Sequence, residues 1–140
     1  MNAPRDLSRR EFLLLAAAFA TPLVPLHAFF ETFSAPPGRP PSPAGKLVGL
    51  LRHPASARVI GTAYLEAIPA EADAPILVDA IAAGLEGGPA ALRADANALR
   101  RRLLRRIEHD FELETTVRLQ GWIVSRTEAR LCALATLKLG

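Results

Sequence analysis

Residues 125–137 read Ser-Arg-Thr-Glu-Ala-Arg-Leu-Cys-Ala-Leu-Ala-Thr-Leu (SRTEARLCALATL), a stretch that contains both a helix start signal and a helix-packing pattern. In a capping box, the Ser125 side chain accepts a hydrogen bond from the Glu128 amide, and the Glu128 carboxylate reaches back to the Ser125 amide. We therefore predict a helix over 126–138. Small residues along one side of this helix would let a neighbouring helix approach closely: Ala129, Cys132, Ala133, Ala135 and Thr136.

The composition of the whole chain also favours helices. Of its 140 residues, 50% are hydrophobic but only 6% are aromatic, and alanine and leucine supply most of the apolar content. Both are strong helix formers, whereas the β-branched residues typical of strands are few. The formal net charge is only +3 because acidic residues accompany the basic ones, so we expect no nucleic-acid partner.

Apolar residues at helical spacing predict further helices upstream of the capping box. Asp73 is a suitable N-cap for one of them, with Pro75 in the first turn, where proline is tolerated. The fold class that follows is all-α, a small bundle of about four helices. The upstream segments are 46–52 (a short turn or helix), 55–67, 74–85 and 89–114.

The longest predicted helix, 89–114, has one apolar face and one charged face. Its arginines come before its acids, which is the poorer order for ion pairs and for the helix dipole, and each such pair contributes only about 0.2–0.5 kcal/mol. Two interpretations stay open for the arginines: a solvated face, or a docking face for an acidic partner or for anionic membrane headgroups. They are Arg100, Arg101, Arg102, Arg105 and Arg106; Asp110 lies at i+4 from Arg106, and Glu108 at i+3 from Arg105.

The stretch 115–122 breaks the helical pattern and alternates polar with apolar residues, as in a half-buried extended segment. No second strand is evident, so we expect an extended connector with a turn at Gly121. Trp122, the only tryptophan, is interpreted as a core anchor whose N–H reaches a backbone carbonyl, with a partner-binding contact as the alternative. The candidate partner contacts are Arg101, Arg102, Arg105 and Trp122.

The sequence presents no motif for catalysis, for a cofactor or for a metal, and we predict that the protein is not an enzyme. Cys132 has no histidine at i±3 or i±4 and is expected to be a buried small hydrophobe. His109, between two acids, is expected on the surface. A cluster of acids indicates a solvated loop with a helix cap, and a divalent-cation or small-ligand site is the alternative: Glu66, Glu71, Asp73 and Asp79.

Near the N-terminus, a pair of arginines precedes an apolar run that extends from Phe12 to Phe30. A charged region followed by an apolar region is typical of an export signal. The segment resembles a twin-arginine (Tat) signal, whose pattern is Ser/Thr-Arg-Arg-x-Phe-Leu-Lys, except that Leu14 stands where the family has lysine. A transmembrane anchor is the alternative, although Pro22 and Pro25 would break its helix. The residues that match the signal are Ser8, Arg9, Arg10, Phe12 and Leu13.

Three regions follow from these patterns. Residues 1–34 form the signal and apolar region, 35–45 form a proline-rich linker, and 46–140 form a small helical domain. The linker is expected to be extended because proline fixes φ and lacks an amide donor. Cleavage near Phe29 and retention of the segment in the membrane both stay open.

The Tat resemblance implies the Tat translocase as a partner and a location in the periplasm or at the periplasmic face of the inner membrane. The architecture further resembles the small accessory subunits of membrane-associated FAD-dependent sugar and alcohol dehydrogenases, in the opening SRREFL, the alanine-rich apolar region and a small helical domain. GWIVSRTEARLCAL, residues 121–134, resembles the same exported proteins. This resemblance implies a noncatalytic subunit that escorts or docks a flavin-dependent large subunit. A free-standing periplasmic or membrane-tethered structural protein is the alternative.

Overall fold

The computed structural model describes residues 40–140, which form one compact unit, Pro40–Gly140. Within this unit the chain is mostly helical, with one small two-stranded sheet. The predicted export signal lies outside the described residues. The helices are α1 (Pro43–Val48), α2 (Pro54–Ala67), α3 (Ala74–Gly84), α4 (Ala96–Glu112) and α5 (Arg126–Leu139); the strands are β1 (Thr116–Leu119) and β2 (Trp122–Ser125).

The C-terminal helix α5 is the element around which the others pack. Its start is the predicted one, because the Ser125 hydroxyl accepts a hydrogen bond from the Glu128 amide at 3.0 Å. It packs most extensively against α2 and also contacts α1, α3, α4 and both strands. Four of the five residues of the predicted small-residue stripe are buried, and the fifth, Thr136, is half-buried. The buried residues of α5 are Thr127, Ala129, Leu131, Cys132, Ala133, Leu134 and Ala135.

Helices α2 and α3 lie close to their predicted bounds. Pro54 begins α2 in the first turn, where its missing amide removes no helical hydrogen bond. Asp73 caps α3, as predicted, by accepting from the Ile76 amide at 3.4 Å. Leu77 and Ile81 of α3 reach the same core as Tyr64 of α2.

Helix α1 differs from the prediction for 46–52. It begins at Pro43, inside the stretch assigned to the linker, and ends at Val48. Ser42 caps it by accepting from the Gly45 amide at 3.1 Å, and Pro43 occupies the first turn. Proline near the start of a short helix therefore initiates structure here, where the sequence analysis expected an extended chain.

The predicted helix 89–114 is in fact two elements. A 3-10 helix covers Gly88–Arg93, and α4 begins only at Ala96. The break comes from Asp95, which has extended backbone angles and accepts from the Ala98 amide at 2.9 Å as a helix cap. Further along α4, Leu99 and Leu103 are buried as expected.

The expectation of a lone extended connector was wrong, because β1 and β2 form an antiparallel hairpin. Its register pairs Thr116 with Ser125 and Leu119 with Trp122. The two loop residues, Gln120 and Gly121, have φ of 49° and 87°. Positive φ at both loop positions is the pattern of the tight turn whose twist suits a hairpin. The fold is therefore mostly helical but not purely so.

Candidate functional site

Three of the arginines on α4 line a cleft rather than a uniform solvated face. Arg102, Arg105, Arg106 and His109 follow one side of the helix, at a spacing of three or four residues. They meet Gly84 and Glu86, at the end of α3, around a cleft of about 170 Å³. Among the predicted contacts, Arg102 and Arg105 are thus brought together, whereas Arg101 is exposed and does not line the cleft.

Glu86 accepts hydrogen bonds from two of these arginines. Arg102 Nη1 donates to the Glu86 carbonyl oxygen at 2.9 Å, and Arg105 Nη2 donates to Glu86 Oε2 at 3.0 Å. The Arg105 and Glu86 side chains are 58% and 77% exposed. An ion pair this exposed contributes only about 0–1 kcal/mol to stability. The pairing of Arg105 with the more distant Glu86 replaces the i,i+3 pairing with Glu108 that the sequence suggested.

Asp110 is fully buried, although its position four residues after Arg106 predicts it on the charged face of the helix. Its Oδ2 accepts from the Ser125 hydroxyl at 3.0 Å and from the Thr127 amide at 2.9 Å. Its Oδ1 lies 2.8 Å from Arg106 Nε, which confirms the predicted i,i+4 pair; the Arg106 N–H is not aimed at this oxygen, so the contact is an ion pair. Asp110 therefore ties the end of α4 to the start of α5. Its position seven residues after Leu103 could have indicated burial.

Within the predicted acidic cluster, Glu71 is not a solvated side chain, because it accepts three hydrogen bonds. Its carboxylate accepts from Arg130 Nη2 at 2.7 Å, from Arg130 Nε at 2.8 Å and from the Tyr64 hydroxyl at 2.7 Å. The Arg130 hydrogen bonds lower the pKa of Glu71 from its ordinary 4.5 to about 2, while burial raises the pKa of Tyr64 to about 12. Within residues 40–140, no three acidic, histidine or cysteine side chains are grouped as metal ligands.

Trp122 lies at the tip of the hairpin and is not the predicted core anchor. It keeps 47% of its surface exposed, and the next residue, Ile123, keeps 56%. The interior positions of the hairpin are instead filled by Leu119 and Val124. Trp122 is the first residue after the turn, so it lies at the end of the sheet. The alternative interpretation of Trp122, a partner-binding contact, is therefore compatible with its exposure.

Cys132 and His109 lie where the sequence analysis expected them. The Cys132 side chain is buried, and burial raises the pKa of its thiol to about 12, so it is protonated and a poor nucleophile. His109 is exposed, with Nδ1 3.1 Å from Glu112 Oε2.

No protein-family model matches the chain, and no curated protein or solved structure proved similar to it. Ser8, Arg9, Arg10, Phe12 and Leu13, which carry the Tat resemblance, lie outside the described residues. Between residues 40 and 140, no helix combines the length and the apolar character needed to cross a membrane.

Proposed function

We propose that this protein is a noncatalytic accessory subunit, exported by the Tat pathway, that escorts or docks an oxidoreductase. The observation that carries the docking part is the exposure of Trp122 at the tip of the β1–β2 hairpin; Ile123, the next residue of β2, is exposed on the opposite face of the strand. The export part rests on the Tat-like residues Ser8, Arg9, Arg10, Phe12 and Leu13. The protein would then act in the periplasm or at the periplasmic face of the inner membrane.

The hairpin is suited to binding because its tip is exposed while its buried residues pack against the core. Leu119 and Val124 are buried, and Ser125 at the end of β2 donates to the buried Asp110. A partner that covers Trp122 would therefore order little additional chain, which limits the entropic cost of association. Tryptophan is also among the residues that contribute most to protein–protein affinity when they become desolvated.

The resemblance to small dehydrogenase subunits suggests the partner: a flavin-dependent large subunit without its own export signal. A Tat signal is read by a receptor, and the translocase carries folded proteins. One signal can therefore export a bound partner together with this chain. Arg101, exposed on α4, is an additional candidate contact for acidic groups of that partner.

Co-purification tests the docking surface. The chain, tagged at its C-terminus and isolated from its native host, should elute with a flavoprotein and with the absorbance of bound flavin. The double change Trp122→Ala and Ile123→Ala should lower recovery of that flavoprotein about tenfold or more. Val59→Ala is the matched control, because Val59 is a 60% exposed apolar residue of α2 and is not part of the hairpin. Elution of the unmodified chain as a monomer without flavin would contradict the proposal.

The export signal is tested in the same cells. Replacing Arg9 and Arg10 by lysine keeps the charge but removes the arginine pair, so both this chain and the flavoprotein should accumulate in the cytoplasm. If the chain reaches the periplasm normally after deletion of the flavoprotein gene, and the flavoprotein is exported without the chain, a free-standing structural protein explains the data better.

A further inference from the structure

The cleft between α3 and α4 gathers three arginines in one place, two of which are paired with the carboxylates of Glu86 and Asp110. Three guanidinium groups and one imidazole line it, and Glu86 is the only carboxylate among its lining residues. All four nitrogen-bearing side chains come from one side of α4: Arg102, Arg105, Arg106 and His109.

Two glycines lack the side chains that would otherwise come too close to these arginines. A side chain at Gly84 would place its Cβ 3.2 Å from Arg106 Nε, and one at Gly87 would place it 2.9 Å from Arg102 Nη1. Gly87 also has φ of 90°, which glycine adopts readily. The arginines therefore lie close over the backbone that ends α3, where the partial negative charge of the helix end stabilises cations.

Contacts within the fold account for the presence of Arg102 and Arg106 but give little reason for Arg105. Arg102 binds the carbonyl oxygen of Glu86, and Arg106 is held by the buried Asp110. Arg105, by contrast, has only the exposed Glu86 carboxylate as a partner within residues 40–140. An exposed ion pair of this kind adds little to stability, so the fold itself gives little reason for Arg105 to be an arginine.

We propose that this cleft binds a phosphate group and that the Glu86 carboxylate takes its place when the phosphate is absent. Each guanidinium presents several N–H donors in a planar fork that matches the oxygens of phosphate. Arg102 and Arg106 are already oriented by Glu86 and Asp110, so their unused donors are fixed in advance. Arg105 exchanges its bond to the Glu86 side chain for one to the phosphate.

The size of the site suits this ligand. A cleft of about 170 Å³ has room for more than a single water. Phosphate has oxygens on several sides and can accept from several arginines at once. Bonds between guanidinium and phosphate are charge-assisted and stronger than neutral ones.

Titration of the full chain with inorganic phosphate and with pyrophosphate, at constant ionic strength, tests the proposal by calorimetry. Arg105→Gln should weaken binding about tenfold, because it removes a charge-assisted contact. Arg58→Gln is the matched control: it makes the same change in net charge at an exposed arginine of α2, outside the cleft. Equal weakening by the two variants would mean nonspecific charge attraction and would overturn the site.

The displacement of Glu86 is tested by the opposite change. Glu86→Gln removes the internal competitor and should tighten phosphate binding several-fold. Glu108→Gln, an exposed acid of α4 outside the cleft, should leave affinity nearly unchanged. If Glu86→Gln does not tighten binding, or tightens it no more than Glu108→Gln, the carboxylate does not occupy the phosphate position.

Vesicles distinguish the source of the phosphate. Binding to vesicles of phosphatidylcholine with phosphatidylglycerol, lost in Arg105→Gln but kept in Arg58→Gln, would assign a lipid headgroup. Binding of pyrophosphate without that vesicle difference would assign a soluble phosphate. If neither probe binds in an Arg105-dependent way, or if only a glutamate-rich peptide binds, the site does not recognise phosphate. None of these outcomes depends on the proposed dehydrogenase partner.

Discussion

At the scale of single residues, Gly61 determines how closely α2 approaches α5. A Cβ added there would lie 2.2 Å from Thr136 Oγ1 and 2.3 Å from the Cys132 carbonyl oxygen. The second of these atoms belongs to the backbone and cannot move aside without shifting α5. Thr136 Oγ1 also donates to the Cys132 carbonyl at 3.0 Å, so the contact surface is already filled.

Gly61→Ala should therefore destabilise the protein by about 1–3 kcal/mol or more. The sign is informative, because alanine in place of glycine within a helix ordinarily stabilises by about 0.5–1 kcal/mol. Chemical denaturation measures the free energy of unfolding. Thr62→Ala is the control, since Thr62 is exposed on the same helix and should change stability little. A Gly61→Ala variant as stable as the unmodified chain would show that the two helices separate at low energetic cost.

At the scale of elements, the Glu71–Arg130 ion pair joins the 3-10 turn Pro69–Glu71 to α5. Both side chains are 19% exposed, and both Arg130 nitrogens Nε and Nη2 take part. A two-point contact of this kind is geometrically specific. It holds the connection between α2 and α3 against the central helix.

Lowering the pH should weaken this link. The folded-state pKa of Glu71, about 2, lies below its ordinary 4.5. Its contribution is therefore complete above about pH 5 and is lost as the pH falls towards about 2. Glu71→Gln should cost about 3 kcal/mol at pH 7 and should flatten the stability profile between about pH 5 and 2. Glu66→Gln, an exposed acid of α2, is the control for urea unfolding at each pH. A Glu71→Gln profile parallel to that of the unmodified chain would exclude this source of acid sensitivity.

The elements differ in how well the sequence predicts them. Helices α2, α3 and α5 follow from their apolar spacing and from caps such as Asp73 and Ser125, which are local signals. The hairpin does not follow from the extended pattern with a turn at Gly121 alone, because its two-residue loop also includes Gln120; the β-branched residues on both sides of that loop are the signal for it. The break before α4 was missed because its cap, Asp95, lies within a continuous apolar pattern.

At the scale of the whole molecule, periodicity predicts a small helical core but not the location of its polar contacts. The cleft needs Glu86 and Arg105 to meet across 19 residues, and the Glu71–Arg130 pair spans 59. Neither separation leaves a pattern in one sequence, because such pairs form only when packing brings the elements together. Trp122 shows the same limit: its apolar character indicates burial, but its place at the hairpin tip exposes it.

The burial of Cys132 limits the reactivity of its thiol. Thiol reagents and disulfide exchange require a thiolate, and this thiol is both enclosed and held protonated, with a pKa of about 12. In an oxidising compartment the chain would thus resist cross-linking through its single cysteine. The same enclosure makes the thiol a built-in reporter of transient opening between α2 and α5.

Maleimide labelling of Cys132 should accordingly be much slower in the native chain than in urea-unfolded chain, and Gly61→Ala should accelerate it. Mass spectrometry over time gives the rate directly. Native labelling as fast as in the unfolded chain would mean that the interface opens freely. Slower labelling in the native chain would instead report how often the interface between α2 and α5 opens.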